Sequence, residues 1–413
     1  MGKDIFFHDN SRLDAPAAKY CIEWQKTLKK ESRYLSNIDS VIVIDSLSFK
    51  IVLKKPDSWF IYYLTSKDGI VMVSPQAIKV YGDKIDVNPV GTGPFYLEQW
   101  DDQSIILRKF EKYRQPRGNI SRLVFQLFPY SRHLEDSFIN GEVDVVYAIS
   151  GSSIDRLKWT GEIDYIVDAP MSCNMLAFNL TNKALNDVKL RKAILSAIDL
   201  KKINVNVNRS TSIPAKNPLP PVFEGYSDLT QSDFNLFPRD IKVTNTKNNI
   251  ITLNFFYPEY AYLRPVLIET LKSQLRKTGI SLRVRSFGTA EEYYNAVRSD
   301  SAQLCIYGWR SEVLGDAGNF LWSLFHSQSY YNVFNYVCEN VDYWLYKSIN
   351  ETDRNKRQEY YRSIVRQVLE DTPAIFLNHL KEFYAYNSKK IKSISMNPYG
   401  IINYKDVIID ESY

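Results

Sequence analysis

Between Ile250 and Tyr307 the hydrophobic period of the sequence switches back and forth, and this constrains the fold more than any other feature of the chain. The stretch ITLNFF sets Ile251, Leu253 and Phe255 on one face of a strand. In LRPVLIETLKSQLRKTG, Leu263, Leu267, Leu271 and Leu275 recur every fourth residue, the spacing of a helix, and Gly279 supplies its stop. ISLRVRSF returns to period two through Ile280, Leu282 and Val284. Thr289 and Glu292 then form a capping box for a short helix carrying Tyr293, Ala296 and Val297, and AQLCIY reads as a further strand. Strand, helix, strand, helix, strand predicts right-handed crossovers and an α/β sheet, parallel in this part. Open sheets of this kind bind ligands beyond the carboxyl ends of their strands. The last strand runs into GWRSEVLGD, so Trp309, Arg310, Glu312 and Asp316 stand where such a site is expected.

The same reasoning extends along the chain. NMLAFNL reads as a strand, and Asp187 can cap a helix in VKLRKAILSAIDLKKI with Leu190, Ile194, Ala197 and Ile198 as its apolar stripe. RQEYYRSIVRQVLEDTP is a helix stopped by Pro373 and followed by the strand AIFL, while SVIVID and SFKIVLKKP form an antiparallel pair. The proline-rich, aperiodic stretch from Asn208 to Pro238 predicts a long ordered loop or wrap-around arm. A chain of 413 residues is too long for one core, so two or three lobes are expected.

Composition narrows the function classes. Hydrophobic residues at 45% and charged residues at 24% describe a globular chain and argue against disorder. The net charge of +5 is spread along the sequence instead of forming a tract, so a nucleic-acid surface is not indicated. The 29 tyrosines and 7 tryptophans suit a protein that grips a variable ligand. Cys21, Cys173, Cys305 and Cys338 are far apart with no C-x-x-C pair, so zinc-ribbon and thioredoxin readings fall away, and neither redox compartment nor disulfide pairing follows from them. The opening MGKDIFFHDN lacks the basic and apolar regions of a signal peptide, Phe6 stands where a myristoylation signal needs Ser or Thr, and no run approaches the roughly 18 apolar residues of a membrane helix. There is no nucleophile elbow, H-E-x-x-H, Walker loop or dinucleotide fingerprint, and His8, His133, His326 and His379 do not cluster in sequence. No catalytic residue, metal or cofactor is therefore assigned.

Six blocks, taken in order, resemble the large solute-binding proteins of ATP-driven importers, the family of oligopeptide- and dipeptide-binding proteins. FFHDNSRLDAPAAKYCIEW is similar to the family's F-H-D-G block, with Asn10 in place of the usual Gly. NPVGTGPFYLEQW matches its most diagnostic stretch, SFINGEVDVVYAI its Gly-Glu block, and LAFNLTNKALNDVKLRKAILSAID the block carrying Arg191, Ala193 and Asp199. GWRSEVLGDAGNF and EDTPAIFL complete the series. The resemblance implies an α/β, type II periplasmic-binding-protein-like fold: an accessory lobe at 1–87, a first jaw at 88–172 with 396–413, and a second jaw at 173–395, joined by hinges. It also implies a peptide or other small solute as ligand, membrane permease and ATPase subunits as partners, a monomer, and a periplasmic or cell-surface location. Family members begin upstream of the F-H-D-G block, so the resemblance further implies a missing N-terminal region.

Peptide-binding relatives meet the ligand's amino terminus with an acid shortly after a Gly-Trp pair. Glu312 occupies that place here, with Asp316 as the alternative if the longer loop inserts before it; Asp316 can equally cap the helix in GNFLWSLF. Trp309 can wall a cleft or serve ordinary packing. Arg264 opens a helix near where dipeptide-binding relatives place an arginine for the ligand carboxylate, against the plainer reading of a surface arginine. Gly91, Gly93 and Asn179 read as architectural.

Overall fold

A computed structural model describes residues 2, 4–29, 32–66, 69–115, 118–128, 131–147, 157, 163–167, 171–208, 212–235, 250–259, 264–299, 301–310, 316–381, 383–397 and 400–412, the side chains of 33, 131–132, 205–208 and 264 excepted. The chain forms two compact units. Unit 1 comprises Met1–Ile149, Ser153–Asp168 and Phe383–Tyr413; unit 2 comprises Ser150–Ser152 and Ala169–Glu382.

Unit 1 is built from small antiparallel sheets. Strands β1 (Ile38–Val43) and β2 (Phe49–Leu53) form the expected antiparallel pair. Strands β3 (Phe95–Trp100), β4 (Ser104–Lys109) and β5 (Arg122–Gln126) follow as a meander. Strands β6 (Val145–Tyr147) and β7 (Ile163–Val167) flank the strand Phe383–Asn387, which lies inside the 173–395 span expected for the second jaw yet hydrogen-bonds only unit 1 strands among the described residues. The segment expected to complete the first jaw, 396–413, holds a helical turn at Tyr404–Asp406 and a two-residue strand, Ile408–Ile409, paired with Ile391–Ser393.

The F-H-D block and the GTGP block are one structural device. The His8 backbone N–H donates to Gly91 O at 2.9 Å, the Gly91 N–H donates to His8 Nδ1 at 3.3 Å, and His8 Nε2 faces Gly93 O at 3.1 Å. Gly91 and Gly93 thus bring bare backbone against an imidazole. Asn10 sits at φ 67°, in the left-handed region that L-residues other than Asn and Asp rarely adopt, which explains why Asn can stand where relatives carry Gly. Asp9 accepts from Ser11 N at 2.9 Å and from the hydroxyls of Ser11 and Ser74, fastening the turn to the helix Pro75–Tyr81 that Ser74 caps.

Unit 2 holds the larger core. Its six-stranded sheet has the order β11-β10-β12-β8-β13-β9, with β8 (Ser172–Phe178), β9 (Ser212–Pro214), β10 (Ile251–Pro258), β11 (Ile280–Phe287), β12 (Leu304–Arg310) and β13 (Ala374–Leu380). As expected, β10 is parallel to both β11 and β12, because helical crossovers connect them. The sheet as a whole is mixed: β8 runs antiparallel to β12 and β13, and β9 antiparallel to β13.

Strand alternation separates two apolar faces. Cys173, Met175, Ala177, Cys305, Tyr307 and Phe376 point to one, covered by helices α5 (Ala317–Phe325), α6 (Glu339–Asn350) and α7 (Arg354–Asp371). Leu176, Phe178, Leu253, Phe255, Leu304 and Ile306 point to the other, covered by α1 (Val188–Ala197) and α3 (Arg264–Arg276). Leu271 and Leu275 of α3 are fully buried there, each contributing about 1.5–3 kcal/mol. The helix expected through Ile203 breaks at Ile198, whose backbone is extended. Asp199 then caps α2 (Leu200–Asn208) by accepting from Lys202 N at 3.0 Å. Helix α4 (Ala290–Val297) starts at Thr289, whose hydroxyl accepts from Glu292 N at 3.2 Å.

Buried Arg191 fastens two of the blocks that carry the resemblance. Its guanidinium donates to Leu185 O at 2.7 Å, Asn186 O at 3.0 Å, Thr372 O at 2.9 Å and Asp371 O, tying the start of α1 to the end of α7. Asn179 is architectural as expected: its amide donates to Ala302 O at 2.9 Å and its oxygen accepts from Thr181 and Asn335.

Candidate functional site

The carboxyl end of β12 is one of the places in unit 2 where buried polar atoms have no partner among the described residues. Gly308 faces Asn174 across to β8, and a Cβ at position 308 would come within 2.7 Å of Asn174 Oδ1, so only glycine leaves that amide its place. Asn174 Nδ2 reaches on to Asn378 Oδ1 of β13 at 3.0 Å, bracing three strands from one face. The alternation of β12 and β8 turns Trp309 and Cys173 to the opposite face, and the residue after Asn378, His379, turns the same way.

Two ring nitrogens on that face, Trp309 Nε1 and His379 Nε2, are buried with no hydrogen-bond partner among the described residues. His379 is 1% exposed, and its Nδ1 lies 3.0 Å from Ser172 O. A carbonyl only accepts, so Nδ1 carries the proton. Burial pushes the imidazole pKa down to about 4, against a smaller opposing effect of the Ser172 bond, so the ring is neutral at pH 7. Nε2 is then a bare acceptor, while Trp309 Nε1–H is a donor. Buried polar groups are normally paired, so such atoms call for an explanation. Trp309 also leans on Tyr331, ring centroids 4.5 Å apart and planes at 46°.

Asp316 stands at the start of α5 and is buried. It caps α5 by accepting from Gly318 N at 2.8 Å, pairs with Arg357 Nε at 2.9 Å, and accepts from the Tyr361 hydroxyl. Glu224 of the arm stands 3.8 Å from the same guanidinium. Burial raises the Asp316 carboxyl above its usual range, opposed by the bonds from Tyr361, Gly318 and Arg357. With those three donors Asp316 performs the helix-capping alternative.

Glu312 lies outside the described residues. Arg264 opens α3 as expected, its side chain likewise outside. A groove of about 880 Å³ runs beside α3, lined by Ser196, Lys202, Glu269, Gln274 and Lys277 among others; it shares no residue with the end of β12. Among the described residues no group of three His, Cys, Asp or Glu could hold a metal, and no helix is long and apolar enough to cross a membrane. Reading the sequence alone missed His379, Asn174, Tyr331 and Arg357. A signal existed for the first: a polar Asn-His pair ends the otherwise apolar strand AIFLNHL.

The family described as bacterial extracellular solute-binding proteins, family 5 middle, matches residues 2–332. The chain belongs to this family. The dipeptide-binding protein of Escherichia coli (strain K12) is 25% identical over 451 aligned residues, covering 99% of this chain and 82% of that protein. Among solved structures, the dipeptide binding protein of Pseudoalteromonas sp. SM9913 in complex with Met-Leu superposes with a TM-score of 0.81 at 18% identity, covering 99% of this chain and 87% of that one. NikZ from Campylobacter jejuni in complex with Ni(L-His) gives 0.80 at 22% identity, covering 98% and 86%. The fold is therefore the mixed α/β, type II fold of family 5 solute-binding proteins. Members of the family bind solutes for importers and are not enzymes.

Proposed function

We propose that this chain captures short peptides outside the cytoplasm and presents them to the permease and ATPase subunits of an importer. The observation that carries the reading is a pair of buried nitrogens at the end of the β12–β8–β13 array, a donor on Trp309 and an acceptor on His379, that have no partner among the described residues. A peptide unit offers the complementary carbonyl and N–H, and hydrogen bonds gain strength where water is excluded. The named ligands of the relatives, a dipeptide-binding protein and a complex with Met-Leu, support the same solute class. Glu312 holds the peptide's ammonium group in this reading, since it follows Trp309 by three residues and a buried ammonium needs an opposite charge. Arg264 is assigned the carboxylate.

The test is a calorimetric cycle. A short free-amine peptide and its N-acetylated form are titrated into the parent and into Glu312→Gln. Stranding one charge of a buried pair costs about 3–5 kcal/mol, so the free-amine peptide weakens a hundredfold or more on mutation, on the order of what that energy implies. The acetylated peptide, already lacking its amine, changes little. Equal weakening of both would remove Glu312 from the site. Absence of binding by any di- or tripeptide would remove the peptide reading itself.

A second solute class has one observation in its favour. His379 Nε2 presents a lone pair while Nδ1 donates to a backbone carbonyl, the arrangement of a metal-binding histidine. NikZ is seen with Ni(L-His). A chelate that brings its own ligands would suit a single histidine; competition between such a chelate and a dipeptide in the same calorimeter separates the two.

A further inference from the structure

Beyond Trp309 the aromatic surface continues. Tyr331 is 45% exposed and Tyr330 69% exposed, although each is a large ring that a folded chain gains by burying. They are nonetheless held in fixed relation. Trp309 and Tyr331 lie 4.5 Å apart, Tyr331 and Tyr330 meet edge to face at 5.4 Å and 81°, and Arg298 sits with its guanidinium carbon 3.7 Å above the Tyr330 ring. Arg298 also donates to Tyr330 O at 3.4 Å and lies 5.9 Å from the Tyr294 ring. A cation over a ring and a bond to the same residue's backbone fix the tyrosine pair more firmly than exposure alone would allow. The half-buried member of this row, Trp309, carries an indole N–H with no partner among the described residues.

The geometry points to Tyr331 as a specificity-determining residue: with Trp309 it forms a two-ring wall that takes an apolar or aromatic side chain of the bound peptide, while Trp309 Nε1 donates to the adjoining peptide carbonyl and Arg298 positions the tyrosines. The inference rests on the peptide reading proposed above. Aromatic rings joined at these distances offer a side chain flat faces and edges together, which aliphatic surface does not. The adjacent donor restricts the occupant to an apolar group with an acceptor beside it, a description that fits an amino-acid residue within a peptide.

The experiment is a titration series with dipeptides that differ at one side chain: Gly, Ala, Leu, Phe and Trp. The parent is expected to prefer Phe and Trp over Gly by tenfold or more. Tyr331→Ala reduces that preference to less than about threefold and leaves the Gly peptide's affinity unchanged; Tyr331→Phe keeps it. Trp309→Phe keeps the preference for large side chains but weakens every peptide, Gly included, because the donor is lost. Arg298→Gln lowers the preference in part. Thermal melts of each variant accompany the titrations, and the exposed position of Tyr331 keeps its substitution compatible with folding. A preference unchanged by Tyr331→Ala overturns the inference while the peptide reading stands. A parent that binds none of the dipeptides overturns the reading, and the inference with it.

Discussion

His8 in unit 1 and His379 in unit 2 are both neutral imidazoles set against backbone, and they differ in one respect that separates structure from function. His8 uses both nitrogens: Nδ1 accepts from Gly91 N, and Nε2 then donates to Gly93 O. His379 uses one, donating Nδ1–H to Ser172 O, and its Nε2 is left without a partner among the described residues. Both sit in or beside blocks that carry the resemblance to family 5. One block is a closed lock between two segments of chain; the other ends at buried ring nitrogens with no partner among the described residues. A buried polar group with all its bonds made stabilises its surroundings, whereas one left open costs stability unless something else completes it.

The largest expected difference between the two regions is in acid. His379 has its pKa lowered to about 4 by burial, so between the ordinary value of 6.5 and about 4 the unfolded chain takes up a proton that the folded chain refuses. Stability is complete above 6.5 and falls with pH through that window, by about 3 kcal/mol in total. Burial lowers the His8 pKa also, so unit 1 responds with the same sign. Urea unfolding at pH 7.5 and pH 4.5, for the parent and for His379→Leu, measures the share due to His379. If the leucine variant keeps the whole pH dependence, the ring is not held neutral by its surroundings.

Next in size is His8→Ala. It strands the Gly91 N–H and the Gly93 carbonyl, at a cost of about 2 kcal/mol, and leaves peptide affinity unchanged, since the lock faces its own backbone. A loss of affinity without a loss of stability would erase the distinction between the two histidines.

How much of this was legible in the sequence follows from the range of the interactions. The elements from Ile251 to Arg310 were readable because strand and helix periods are local, and the caps at Thr289 and Asp187 are chosen by residues two or three positions away. The antiparallel insertion of β8 between β12 and β13 was not, since pairing Leu304 with Phe178 is a choice made across the chain. The same limit hid the site. Glu312 and Trp309 could be singled out because they are neighbours in sequence, but the occupation of Asp316 by Arg357 and Tyr361 joins residues 41 and 45 positions apart. The His379 nitrogen that has no partner among the described residues is legible only once Ser172 is known to occupy the other.

Gly308→Ala tests the brace behind these ring nitrogens. The added Cβ displaces Asn174 Oδ1 and with it the bond from Asn174 to Asn378, so stability falls by about 1 kcal/mol. The effect on peptide affinity is proportionally larger, because Trp309 is the next residue on β12. Equal small effects on both would show that the brace and the ring nitrogens are independent.

The smallest effect belongs to Asn10, and it tests whether the unit 1 lock is set by backbone geometry. At φ 67° the residue pays the steric cost that a side chain meets in the left-handed region, a cost that Asn bears better than most and Gly does not bear at all. Its N–H donates to Phe7 O at 2.9 Å, while the Phe7 N–H donates to Ser11 O at 2.8 Å, so the turn is closed by main-chain bonds. Asn10→Gly, the residue usual in relatives, is therefore expected to change stability by only a few tenths of a kcal/mol, because relief of strain is offset by the greater freedom of glycine in the unfolded chain. Asn10→Ala keeps a side chain without the tolerance of Asn and costs about 1 kcal/mol. Chemical denaturation of the three proteins should rank them with parent and glycine variant together and alanine below. If alanine and glycine behave alike, the Asn10 side chain holds the turn through a contact of its own, and His8 is positioned by more than the backbone of Gly91 and Gly93.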